Sequence, residues 1–114
     1  MTTEELLKAH PKTTTLIKKW MADRMTENTE SLSEEFKEYV KTISLDDAYL
    51  IPIINTNPRN LFDVFDENDL HICTSYITGY YYTTLGDFIG EASERKKSEY
   101  LTIEYAFELL EKKL

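Results

Sequence analysis

Apolar residues fall at helical spacing over both ends of the chain. Leu16, Ile17, Trp20, Met21 and Met25 recur three and four residues apart, with Lys18, Lys19, Asp23 and Arg24 on other faces. That period predicts an amphipathic helix. Phe36, Tyr39, Val40 and Ile43 stand at i, i+3, i+4 and i+7 and predict another. Ile103, Ala106, Phe107, Leu110 and Leu114 repeat the rule at the far end. Lys112 and Lys113 fall in its last turn, where cations favour the helix dipole. Thr2-Thr-Glu-Glu5 and Ser31-Leu-Ser-Glu34 read as capping boxes, in which hydroxyl and carboxylate satisfy first-turn amides. The first opens a short helix to about His10, and Pro11 then suits a helix start because its missing N–H costs nothing there.

The middle follows a different rule. Asn68 to Leu85 holds no Ala, Glu, Lys, Arg, Gln or Met, hence almost none of the good helix formers. It is rich in Thr, Ile and Tyr, which fit the pleated surface of a strand. Leu70, Ile72, Thr74 and Tyr76 alternate with His71, Cys73 and Ser75. Phe62–Asp66, a Glu67-Asn-Asp69 turn and the run from Leu70 read as strand, turn, strand. Thr78-Gly79 turns the chain into a further strand over Tyr80–Leu85. Ala48–Ile54, interrupted by Pro52, suits an edge strand.

A rival reading runs a helix across 69–92, with Cys73, Tyr76, Ile77, Tyr80, Tyr81, Leu85, Phe88, Ile89 and Ala92 on one face and Asn57-Pro58 as cap and first residue of a helix before it. Gly79 to Phe88 is similar to one turn of a tetratricopeptide hairpin, but no second copy occurs and a solenoid unit does not stand alone, so no family is assigned. Propensity favours strands. The expected fold is α+β: N-terminal helices, a central antiparallel sheet of three or four strands, and a C-terminal helix packed on it. The alternative is an all-α bundle. A length of 114 residues suits one domain, with a helical region 1–45, a central region 46–92 and a C-terminal helix 93–114.

Charge sharpens this division. The chain carries a formal charge of −8, and the stretch from Asn60 to Glu94, with seven acids and neither Lys nor Arg, supplies −7 of it. That stretch also contains the lone cysteine, all three glycines and the run Tyr80-Tyr-Tyr82. Direct nucleic-acid binding is disfavoured, since phosphate affinity needs clustered cations. No apolar run approaches a membrane span and no basic-then-apolar leader opens the chain. A single cysteine fits a reducing compartment, so a cytoplasmic protein is expected.

Candidate chemistry is sparse. His71 and Cys73 share a strand face, yet an activated thiolate wants positive surroundings that this stretch lacks, so Cys73 is read as a semi-buried structural residue. Neither zinc spacing, a serine elbow nor a phosphate-binding glycine loop is present. Counted from Asp63 or from Asp66, the sixth position of a calcium loop is Asn68 or His71 rather than glycine. No catalytic residue, metal site or cofactor is therefore expected.

What stands out is tyrosine beside carboxylate. Tyrosine is enriched in binding hot spots, and a one-signed field steers an oppositely charged partner. Asp63, Asp66, Glu67, Asp69, Tyr80, Tyr81, Tyr82 and Asp87 are the expected partner-binding residues. The expected function is non-enzymatic: masking or regulating a basic protein, such as a toxin or a nucleic-acid-binding enzyme, in the manner of immunity proteins, antitoxins and viral inhibitors. An accessory subunit docking through the Trp20 helix or the Ile103–Leu114 helix is the alternative, with self-association open. A Cys73–His71 hydrolase ranks third.

Overall fold

A computed structural model of the chain describes residues 1–27, 33–44 and 46–114, and of 25–27 and 40–44 the backbone alone. The first helix, α1, spans Thr3–Ala9 and is capped by the Thr2 hydroxyl, which accepts from the Glu5 amide. α2 spans Pro11–Glu27 and begins on the proline, as expected. The Ser31 capping box falls partly outside the described residues. Within them α3, Glu34–Ser44, starts after Ser33, whose hydroxyl accepts from the Phe36 amide at 3.3 Å.

Two expected strands are helices instead. Ala48–Ile54 lies within α4, Asp47–Thr56, which is capped by the Asp46 carboxylate. Its buried residues are Leu50 and Ile54, four apart, while Pro52 and Ala48 are exposed. A proline on the wet side lets the Ala48 carbonyl it deprives turn to water, so the helix tolerates it. Asn57 then caps a 3-10 turn, Pro58–Leu61, its side chain accepting from the Arg59 amide. Phe62–Asp66 is not a strand either: α5 spans Phe62–Glu67. Leu61, Val64 and Phe65 are fully buried at i, i+3 and i+4, so the helical period outweighs β propensity.

The chain leaves α5 through Asp69, at φ 63°, a left-handed residue that stops the helix. Three strands follow as an antiparallel meander: β1 (Cys73–Ile77), β2 (Tyr80–Leu85) and β3 (Phe88–Ala92), in the order β1-β2-β3. The turn at Thr78-Gly79 is where the sequence placed it. The helix across 69–92 is excluded, and β3 was not foreseen. α6, Arg95–Lys113, closes the chain and packs on β2 and β3. The fold is α+β.

One core joins the two ends of the sequence. Leu6, Leu7, Ile17, Leu50, Ile54, Leu61, Val64, Phe65, Leu85, Ile103, Phe107 and Leu110 are buried together. Phe65 and Phe107 meet edge to face at 5.6 Å. Each buried ring of that size contributes about 2–3 kcal/mol by leaving water. Leu114, expected on the inner face of α6, is exposed.

Candidate functional site

The sheet has one closed face and one open face. The register pairs Thr74 with Thr83 and Thr83 with Gly90, and these three point toward α6 with Tyr76, Tyr81, Leu85, Phe88 and Ala92. Thr83 and Gly90 are buried there. Thr83 Oγ donates to Ser98 Oγ at 2.7 Å, Ser98 Oγ donates to the Gly90 carbonyl at 2.6 Å, and Thr102 Oγ donates to the Thr83 carbonyl at 2.9 Å. Three hydroxyls thus bolt α6 to the sheet, each with its partner, as burial of polar groups demands.

Beside them lies Glu99, fully buried. Arg59 holds its Oε2 with Nε and Nη2, both at 2.8 Å, and the Thr74 hydroxyl donates to the same oxygen at 2.8 Å. Arg95, one turn back on α6, takes Oε1. The carboxylate ties the 3-10 turn, β1 and α6 at a single point. Its surroundings are saturated with donors, so its role is to hold the closed face rather than to react.

The opposite face is formed by Cys73, Ser75, Ile77, Tyr80, Tyr82, Thr84, Ile89 and Glu91. Ile77 is 57% exposed, Tyr80 47% and Ile89 58%. None of the eight is buried. Isolated exposed apolar side chains are ordinary, but several on one sheet face form a patch of the kind that marks interaction sites.

The expected partner-binding residues do not form one surface. Asp63, Asp66 and Glu67 stand on α5, with Asp69 just beyond it. Each has a partner: Arg24 lies 3.8 Å from Asp63, His71 binds Asp66, the Trp20 indole donates to Glu67, and Lys113 lies 3.8 Å from Asp69. A stretch free of cations along the chain is therefore not free of them in space. Tyr80 and Tyr82 lie on the open face, whereas Tyr81 points to the other side, its ring 4.9 Å from that of Tyr76. Asp87 sits in the β2–β3 turn beside Gly86, which has φ 59°. Among the described residues no cation pairs with Asp87 or with Glu91.

Catalytic groups are dispersed. His71 lies before β1 and turns to Asp66, away from the role of a base for Cys73. Cys73 is an exposed thiol on the open face, not the semi-buried residue expected. His10 is half-buried at the end of α1, where Nδ1–H donates to the Leu6 carbonyl at 2.8 Å. A depression of about 430 Å3 between α1, β3 and α6 is lined by Leu6, Phe88, Leu101, Glu104 and Glu108. No group of three or more metal-ligating side chains gathers among the described residues. No described helix is long and apolar enough to cross a membrane.

The open face and the Glu99 cluster escaped the sequence reading. A signal for the face existed: Phe88, Gly90 and Ala92 alternate with Ile89 and Glu91, a period of two that marks a third strand. Glu99 gave no such sign, because an interior carboxylate on a helix looks like any other polar position. Comparison with protein-family models, curated proteins and solved structures finds no match.

Proposed function

We propose that this chain is a non-enzymatic protein-binding module that masks or regulates a basic partner, docking it on the open face of the sheet. The observation that carries this reading is the open-face patch of exposed Ile77, Tyr80 and Ile89 with half-buried Tyr82, beside Asp87 and Glu91, with which no cation pairs among the described residues. Apolar area supplies affinity, and the carboxylates select a cationic rim and accelerate encounter. Asp63, Asp66, Glu67 and Asp69 contribute a weaker, partly neutralised field from α5. The type of protein that acts this way includes immunity proteins, antitoxins and viral inhibitors.

The helical faces of the alternative are largely spent on the core. Ile103, Ala106, Phe107 and Leu110 are buried, and Trp20 is packed against the core with its indole bound to Glu67.

The test is affinity capture from the native host with wild type, an Ile77→Asp/Ile89→Asp variant and an Asp63→Lys/Asp66→Lys/Asp69→Lys variant. The reading expects a basic protein on the wild type, released by salt, lost from the open-face variant and retained, with a slower on-rate, by the triple variant. Identical capture by wild type and open-face variant would overturn it.

A further inference from the structure

The sheet has two edges, and they are protected unequally. β3 carries Glu91 and presses its Gly90 against α6, where a Cβ would stand 2.6 Å from Thr102 Oγ. β1 reads Cys73-Thr-Ser-Tyr-Ile77 and has no charge, proline or glycine. Its five pairs with β2 run without interruption, so no bulge twists it away. Among the described elements it packs along β2 and along no other to a comparable extent. Tyr76 and Ile77 are more than half exposed. Every second residue of such a strand points N–H and C=O outward, away from β2. Native proteins ordinarily blunt an edge of this kind with lysine, proline, a bulge or a covering element, because it is a template for another strand.

Charge selects what that other strand is. With −8 per chain, a second copy is repelled over most approaches. Among the described helices and strands, only β1 and β2 lack a charged residue, and β2 is interior. A basic partner, in contrast, gains nothing from a neutral seam. We propose that β1 pairs antiparallel with β1 of a second copy, about a two-fold axis at Ser75, fusing two three-stranded sheets into one of six strands. Ser75 then faces its own copy, Thr74 faces Tyr76, and Cys73 faces Ile77. A β-branched residue opposite an aromatic one is a favourable cross-strand pair. The axis stands normal to the sheet, so both open faces lie on one side and both α6 helices on the other. The dimer therefore doubles the open face without covering it, and the proposal stands independently of the function proposed above.

Sedimentation velocity from micromolar to millimolar chain tests it, with wild type, Ser75→Lys and an oxidised Cys73→Ser/Ser75→Cys variant. Wild type should dimerise. Ser75→Lys sets two ammonium groups face to face and should weaken dimerisation at least roughly tenfold. It also lowers the net charge of each chain, so that loss cannot be general repulsion. The Ser75→Cys variant should form a covalent dimer, since directly opposed residues come within disulfide reach. Wild type, whose Cys73 faces isoleucine, should not. Circular dichroism checks that each variant folds, and Ser75 is exposed, so both should. A monomeric wild type, a dimer indifferent to Ser75→Lys, or cross-linking of wild type as readily as of the Ser75→Cys variant each overturns the proposal.

Discussion

Gly90→Ala probes how α6 is seated on the sheet. A Cβ at Gly90 would lie 2.6 Å from Thr102 Oγ, 2.7 Å from the Ser98 carbonyl oxygen and 3.2 Å from Leu101 Cβ. Thr102 can rotate away, but only by abandoning its bond to the Thr83 carbonyl. Ser98 O belongs to the backbone of α6 and cannot yield alone. The helix must therefore lift from β3 by several tenths of an ångström, loosening the Ser98–Gly90 hydrogen bond as well. Overpacking of this kind costs ~1–3 kcal/mol. One weakened buried hydrogen bond adds about 1 kcal/mol. The expected destabilisation is ~2–4 kcal/mol, a fall in Tm on the order of 10 °C for a chain of this size. Gly79→Ala is the control: at φ 90° with nothing within 4 Å, it meets backbone strain and no clash. It should cost only about 1 kcal/mol. Urea unfolding followed by circular dichroism measures both. A Gly90→Ala variant as stable as wild type, or less affected than Gly79→Ala, would refute the account of the closed face.

Three further outcomes are expected. Glu99→Ala leaves Arg59 and Arg95 facing one another without their carboxylate; because both guanidiniums reach water, the cost by urea unfolding should sit near the low end for a broken buried pair, about 3 kcal/mol. At Glu111, burial works to raise the carboxyl, but the backbone N–H groups of Thr13 and Lys12 outweigh it and hold its pKa below the ordinary 4.5. A depressed folded-state pKa gives stability that is present above the unfolded value and lost as pH falls through the folded one, so Glu111→Gln should flatten the acid limb of the stability curve below about pH 4.5, and an NMR titration should show the carboxyl ionising early. Cys73, being exposed, should react with a disulfide reagent in the native protein within roughly tenfold of its rate in the unfolded chain; strong protection would place it elsewhere.

Much of the helical frame was legible because it follows from short-range rules. The Thr2 cap, the Pro11 start and the buried positions Ile17, Ile103, Phe107 and Leu110 are set by spacing and by local hydrogen bonds. The Tyr80–Leu85 strand and the Thr78-Gly79 turn were readable for the same reason. Phe62–Asp66 was misread because Phe and Val favour strands, while the helical triplet Leu61, Val64 and Phe65 gained its meaning only from a core on that side. Ala48–Ile54 was misread because Pro52 argues for an edge strand unless its side of the helix is wet. The candidate site was read less well. Tyr80 and Tyr82 lie on the open face, but Tyr81 does not, and a single run of tyrosine cannot say which face a strand keeps dry.

Composition and order alone determined an acidic chain with helical ends, a β-rich middle and no clustered cations for nucleic acid. These properties depend on residues near one another along the chain, or on sums that folding cannot change. Which acids keep their field was decided only when α2 and α6 carried Arg24 to Asp63 on α5 and Lys113 to Asp69 just beyond it, while among the described residues no cation pairs with Asp87 or Glu91. Which sheet face stays open was decided by α6, because Gly90, Ser98 and Thr102 admit the helix on one side alone. Coulomb's law and packing both act through distance in space, and residues as far apart along the chain as Arg24 and Asp63 or Asp69 and Lys113 acquire that distance only when it folds.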